Sequence, residues 1–269
     1  MTPSSEWARD RSYEHVRVES EARVLVVTMN RPDVLNALSP AASAELSEVF
    51  DAYFADPDLW VAILTGAGER AFSAGVDLTH ALHGAANDLP ATGFAGLTSR
   101  RAMVKPVIAA VNGYAMGGGF EAALACHLVV ADENATFALS EVRVGMFAGG
   151  GGLVRLPRSI PEKIATELIV TGRRLSAREA QELGLVNRIV PAGSALTGAR
   201  ALASEVVAAS PTSVGISLGV LEAARGIPDP IAAIEATTDA AYRELSSRSD
   251  MAEGLAAFAE KRKPVWTNR

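Results

Sequence analysis

The chain has 269 residues, 49% of them hydrophobic and 21% charged, which is enough apolar material for a substantial core and excludes a disordered or fibrous chain. Its 25 Lys and Arg against 31 Asp and Glu leave a net charge of −6, and the one basic run is Lys261-Arg262-Lys263, so no nucleic-acid footprint is expected. A single cysteine, Cys126, excludes an internal disulfide and a cysteine-built zinc site.

The first 20 residues are polar, and no apolar run approaches the roughly 20 residues that a membrane span needs. The expectation is a soluble, cytoplasmic protein without a membrane partner. Residues 13–19 and 23–29 read as short strands about a turn at 20–22. Ser39-Pro40 then opens a helix, Ser as N-cap and Pro at the first position, with Ala44, Leu46, Val49, Phe50 and Tyr53 or Phe54 as its apolar stripe. Residues 60–65 and 106–111 are continuous apolar runs of strand length, each ended by a glycine turn, and buried strands alternating with helices mean an α/β fold.

Residues 80–96, rich in Ala, Gly, Asn and His, read as a mobile loop or lid. Past residue 160 the pattern is helical almost throughout. Ser176-Ala-Arg-Glu179 reads as a capping box and Ser210-Pro211 as another helix start. Residues 1–200 are read as the core and 201–269 as a helical region packed on it, with no low-complexity linker between them.

Several motifs lead nowhere. Gly66-x-Gly68-x-x-Ala71 follows a strand like a dinucleotide fingerprint, but Phe72-Ser-Ala-Gly75 interrupts the helix it should open. Gly215-Ile-Ser217-Leu-Gly219 has the form of a hydrolase nucleophile elbow, yet every histidine (His15, His80, His83, His127) lies upstream of the serine. His80 and His83 have no further ligand at a telling spacing and read as loop residues in water. Cys126 reads as a small core residue.

Three segments carry chemistry. They are Ala71-Phe-Ser-Ala-Gly75-Val-Asp-Leu78, Asn112-Gly-Tyr-Ala-Met-Gly117-Gly118-Gly119-Phe-Glu121, and Phe137-Ala-Leu-Ser-Glu141-Val-Arg-Val-Gly145. The glycine triplet lets a ligand approach the backbone where a helix starts, and free N–H groups there favour a developing anion. An anion hole beside two carboxylates is what proton transfer next to a carbonyl requires.

These segments resemble the enoyl-CoA hydratase/isomerase (crotonase) family. Asn30-Arg31-Pro32, Asn36-Ala37-Leu38, the run from Leu175 to Asn187, and Phe258-x-Glu260-Lys-Arg extend the likeness over residues 13–265 in the family's order. The resemblance implies a spiral of ββα units, with a helical C-terminal region that builds trimers, often paired into hexamers. It implies an acyl-CoA thioester substrate, CoA arriving as part of it, and no metal or other cofactor. By position, the backbone N–H groups of Val76 and Gly118 would hold the thioester oxygen, Glu121 would act on water, and Glu141 would protonate the α-carbon. Ala74, Gly75, Asp77, Leu78 and Gly117 complete the implied binding set, with Arg31 and a neighbouring subunit's Lys261 or Lys263 as candidates for the CoA phosphates. His127, where relatives carry Asp, and the glycine run 148–152 depart from the pattern. The activity so implied is 2-enoyl-CoA hydration or its reverse. A Δ3–Δ2 isomerase, a hydroxyacyl-CoA dehydratase and a silent CoA-binding protein are the alternatives; acyl chain and pathway stay open.

Overall fold

The computed structural model describes residues 12–81 and 89–268. Strands β1 (Val16–Glu21), β2 (Val24–Met29), β3 (Val61–Gly66), β5 (Val107–Val111), β7 (Leu128–Asp132) and β10 (Arg188–Val190) form a large sheet in the order β1-β2-β3-β5-β7-β10. β1 and β2 are an antiparallel hairpin, and every other pair in the sheet is parallel. A smaller sheet runs β4 (Ala71–Ser73), β6 (Tyr114–Met116), β8 (Thr136–Ala138), β9 (Leu175–Ser176), parallel except for the last pair. β3 and β5 are buried at every position, which is why their sequences are unbroken apolar runs rather than alternating ones.

The two sheets grow together. β3 leads into β4, β5 into β6 and β7 into β8, so each rung gives one strand to each sheet and the chain winds as a spiral. The corners stack through backbone bonds from Tyr114 N to Arg70 O (3.1 Å) and from Thr136 N to Gly113 O (3.2 Å). Two buried asparagines latch the first corner from either side. Asn112 Nδ2 donates to Gly66 O (2.9 Å) and Gly68 O (2.7 Å). Asn36 Nδ2 donates to Ala67 O (3.0 Å) and Ala71 O (2.8 Å), while its Oδ1 accepts from Arg31 N (3.0 Å).

Helix α1 (Pro40–Ala55) starts as its sequence requires, with Ser39 Oγ accepting from Ala42 N at 3.1 Å. Its buried face runs Ala42, Ser43, Leu46, Val49, Phe50, Tyr53. Ala44, expected in that stripe, is exposed, because the three- and four-residue steps ending at Tyr53 pass through position 43. Helix α2 (Leu78–Ala81) and a 3-10 turn at Phe94–Gly96 occupy parts of the stretch expected to be a loop, and Ala95, Gly96 and Leu97 are buried. The rest of that expectation, residues 82–88 with His83, lies outside the described residues, as does the His80 side chain.

Helices α3 (Gly118–Ala125), α4 (Gly152–Ser159), α5 (Glu162–Thr171) and α6 (Ala177–Glu182) complete the spiral layer. Only half of the expected capping box forms at α6. Ser176 Oγ accepts from Glu179 N, but the Glu179 carboxylate turns to the Arg173 guanidinium (2.8 Å), a charge-assisted partner stronger than a backbone N–H. The position between residues 200 and 201 falls inside α7 (Ala195–Val207), whose Ala195, Ala199, Leu202 and Ala203 are buried with Val61, Ile63 and Ile108 of the large sheet. Helices α8 (Pro211–Ala224), α9 (Pro230–Ser246) and α10 (Ser249–Ala259) follow, α8 capped by Ser210 as expected. Among the described residues no single helix is long and apolar enough to cross a membrane.

Asn36 is 1% exposed and replaces three backbone partners at once. Asn36→Ala strands two carbonyls and an N–H, so it should cost about 2–4 kcal/mol, read as a lower urea midpoint at fixed protein concentration.

Candidate active site

The parallel strands β4, β6 and β8 lie side by side in register, with Ala71 opposite Tyr114 and Tyr114 opposite Thr136. Their carboxyl ends therefore deliver three segments to one place: Ala74-Gly75-Val76, Gly117-Gly118 and Ser140-Glu141. The three stretches singled out in the sequence meet here.

Gly75 (φ 89°) leaves no room for a side chain, since a Cβ would stand 2.5 Å from Met116 O and 2.9 Å from Gly118 N. Leu38 flanks the turn, its N–H donating to Gly75 O (2.7 Å) and its carbonyl accepting from Asp77 N (3.1 Å). The intervening Val76 N–H and the Gly118 N–H that opens α3 donate to no acceptor among the described residues. The Val76 nitrogen lies 3.6 Å from the Cβ position of Gly118, so two free donors stand together at the positive end of a helix.

Glu121, in the first turn of α3, is 1% exposed. Its Oε1 accepts from Gly152 N at 2.8 Å, the amide that opens α4. Burial pushes its carboxyl up to about 7; the amides of Gly152 and Gly150 and the charge of Arg155 act against that rise, and the Glu141 charge adds to it. Gly150 is pressed from one direction, its Cβ position lying 2.5 Å from Glu121 Oε2 and 2.7 Å from Phe94 Cδ2. Glu141 begins a 3-10 turn (Glu141–Val144), with Oε1 3.0 Å from the Cβ position of Gly117. Its Oε2 is buried without a partner among the described residues, and burial raises its proton affinity also. Two carboxylates with raised proton affinity beside two free amides can move protons at a carbon next to a polarised carbonyl.

The other candidates divide. Asp77 and Arg31 form an ion pair (2.9 Å), and Arg31 Nη1 also donates to Ala37 O (2.7 Å). Burial works against the Asp77 charge, but hydrogen bonds from Thr79 and Arg31 hold the carboxyl down at about 2. Ala74 donates to Leu35 O (2.9 Å), and Leu78 is exposed at the start of α2. Lys261 and Lys263 stand exposed after α10, and no described contact joins either to the site within one chain. Ser217 lies inside α8 and donates back to Ser213 O, so the elbow motif is helix. Cys126 donates to Ala122 O, and burial pushes its thiol up to about 12. Phe94 and Arg155 were not singled out in the sequence, and the glycine run 148–152 stood there only as a departure from the family pattern, without its hold on Glu121. The signal was four glycines followed at once by a helix, a pattern that offers amides to an anion.

The enoyl-CoA hydratase/isomerase family model matches residues 19–269. A carnitinyl-CoA dehydratase of Escherichia coli (strain K12) is 42% identical over 260 residues, covering 95% of this chain and 99% of its own. Among solved structures, an enoyl-CoA hydratase from Mycobacterium tuberculosis H37Rv is 42% identical with a TM-score of 0.89, covering 95% of this chain and 99% of its own. A carnitinyl-CoA hydratase from Mycobacterium avium is 40% identical with a TM-score of 0.75, covering 96% and 100%.

Because burial lifts the Glu121 carboxyl from 4.5 to about 7, its contribution to stability is complete below pH 4.5 and lost as pH rises through 7. Glu121→Gln removes that loss. Thermal melts at pH 5 and pH 8 should show the variant gaining on the wild type by up to about 3 kcal/mol. A pH-independent difference would mean an ordinary carboxyl.

Proposed function

The chain belongs to the enoyl-CoA hydratase/isomerase family, and we propose that it adds water syn across the double bond of a 2-enoyl-CoA thioester, or removes it in reverse. The observation that carries this reading is the pair Glu121 and Glu141 beside the free amides of Val76 and Gly118. In the proposed step the thioester oxygen lies on the two N–H groups. Water held between the carboxylates attacks C3 and gives its proton to Glu121, while electron density moves onto the thioester oxygen. As that density returns, Glu141 supplies a proton to C2, so one proton leaves and one arrives. A carboxyl near 7 is partly ionised at neutral pH and suits a base, and the raised affinity of Glu141 suits a proton donor.

A second reading follows from the names of the relatives. Dehydration of carnitinyl-CoA would use the same residues in reverse, and a panel containing crotonyl-CoA, longer enoyl-CoAs and carnitinyl-CoA ranks the two by kcat/KM. An isomerase needs only one carboxylate to carry a proton between carbons. A silent binder would have no use for a buried, partly unpartnered pair, which is costly to keep.

Glu121→Gln and Glu141→Gln keep shape while removing proton transfer. Each should lower the hydration kcat by about 100-fold or more with thioester binding kept, and the double variant should be little worse than the poorer single one. Normal turnover of a 3-enoyl-CoA by Glu121→Gln, with Glu141→Gln inactive, would replace the hydratase by the isomerase.

We further propose a trimer or a hexamer. Ile231, Ile234 and Tyr242 of α9, Leu255 and Phe258 of α10, and Val265 beyond it are exposed, Phe258 at 86%, which is more apolar surface than a monomer's helical layer commonly shows to water. Light scattering at micromolar concentration should give three or six chains; a monomer would refute it.

A further inference from the structure

The chain spends strain where the proposed reaction uses no group. Ala95 sits at φ 52°, ψ 18°, wholly buried, in a region that costs a residue with a Cβ about 1–2 kcal/mol. The turn around it is held on every side. Arg100 donates to Gly96 O (2.7 Å) and Ser47 O (3.0 Å) and pairs with Asp51 (2.6 Å). Ser99 N donates to Thr92 O (2.8 Å), and Arg155 Nη2 reaches from α4 to Thr98 O (2.9 Å). Gly96 lies against α1, where a Cβ would stand 2.6 Å from Ser47 N.

What this clamp fixes is the half-buried ring of Phe94. Phe94 Cγ is 3.7 Å from the Cβ position of Gly118, and Val76 N is 3.6 Å from that same point. The next ring atom, Cδ2, lies 2.7 Å from the Gly150 Cβ position, which is itself 2.5 Å from Glu121 Oε2. One ring therefore borders both the free amides and the carboxylate. A thioester with its oxygen on those amides and its C3 toward Glu121 would pass beside it.

We infer that Phe94 is the wall that sets how wide an acyl group this site accepts, an inference that rests on the acyl-CoA reading above. The ring leaves a slot for a flat, unbranched enoyl segment and bars branching just beyond the double bond. A strained turn clamped to two helices keeps a wall in place, whereas a relaxed loop would let it swing aside.

The test compares crotonyl-CoA with 4-methylpent-2-enoyl-CoA in wild type, Phe94→Leu and Phe94→Ala. The wild type should prefer the linear substrate, and Phe94→Ala should move the ratio of kcat/KM toward the branched one by about 10-fold or more, Phe94→Leu falling between. Dissociation constants for the saturated butyryl-CoA and 4-methylpentanoyl-CoA measure the same selectivity without turnover. If Phe94→Ala does not fold, Phe94→Leu carries the comparison. Unchanged ratios in a folded variant, or a wild type that already prefers the branched chain, overturn the wall. A shifted binding ratio in an enzyme that hydrates no enoyl-CoA keeps the wall and overturns the hydratase.

Discussion

The site depends on three short parallel strands staying in register. β4, β6 and β8 are only three residues each, too short to hold their pairing unaided, and the corners that feed them are fixed by Asn36, Asn112 and the bonds between stacked turns. A slip of one residue would turn Val76 away from Gly118 and take Glu141 off the face it shares with Gly117. The larger sheet supplies the apolar mass behind this arrangement. Its buried strands β3 and β5 set the pitch of the spiral, and the smaller sheet inherits it.

Glu121 shows how the fold tolerates a carboxyl in its interior. The group is enclosed by α3, the glycine run and the Phe94 turn, and it is met by backbone amides rather than by a close cationic side chain. Amides satisfy an oxygen in either protonation state less selectively than a guanidinium would, so burial dominates and the proton is held tightly but not permanently. Asp77 is the counterexample a short distance along the chain. There Thr79 and Arg31 overcome burial, and the carboxyl is a fixed anion that ties the segment before α1 to the turn carrying Val76. Two buried acids thus serve different ends because their partners differ.

Much of this was legible beforehand, and the boundary is physical. Ser39-Pro40, the apolar runs of β3 and β5, and the glycine triplet act through local conformation or strict burial, and both leave marks within a few residues. The expectation for 80–96 missed the turn at Phe94, whose conformation is imposed by α1 and α4 rather than by its own residues. Glu179 had the right local signal and a better partner in Arg173. Ala44 was an error of helical phase that only the packed neighbour resolves. The roles proposed for Val76 and Gly118 rest on resemblance, since a backbone N–H carries no residue type to read.

His127 has a consequence of its own. Its Nδ1 accepts from Val107 N (3.1 Å), so the proton must sit on Nε2, which donates to Met103 O (3.1 Å); the ring is locked in one neutral tautomer. An aspartate there could accept from Val107 but could not tie down Met103. Burial lowers the affinity of this ring for a second proton, so its contribution to stability is present above the ordinary imidazole range and is lost on acidification. Glu121, six residues earlier, has the opposite sign. The band of pH in which both are uncharged lies just on the acid side of neutrality, and there the interior carries neither charge. The base proposed at position 121 would be ionised above that band. Stability and the proposed base chemistry are thereby pulled toward different acidities by two side chains less than two helical turns apart in sequence.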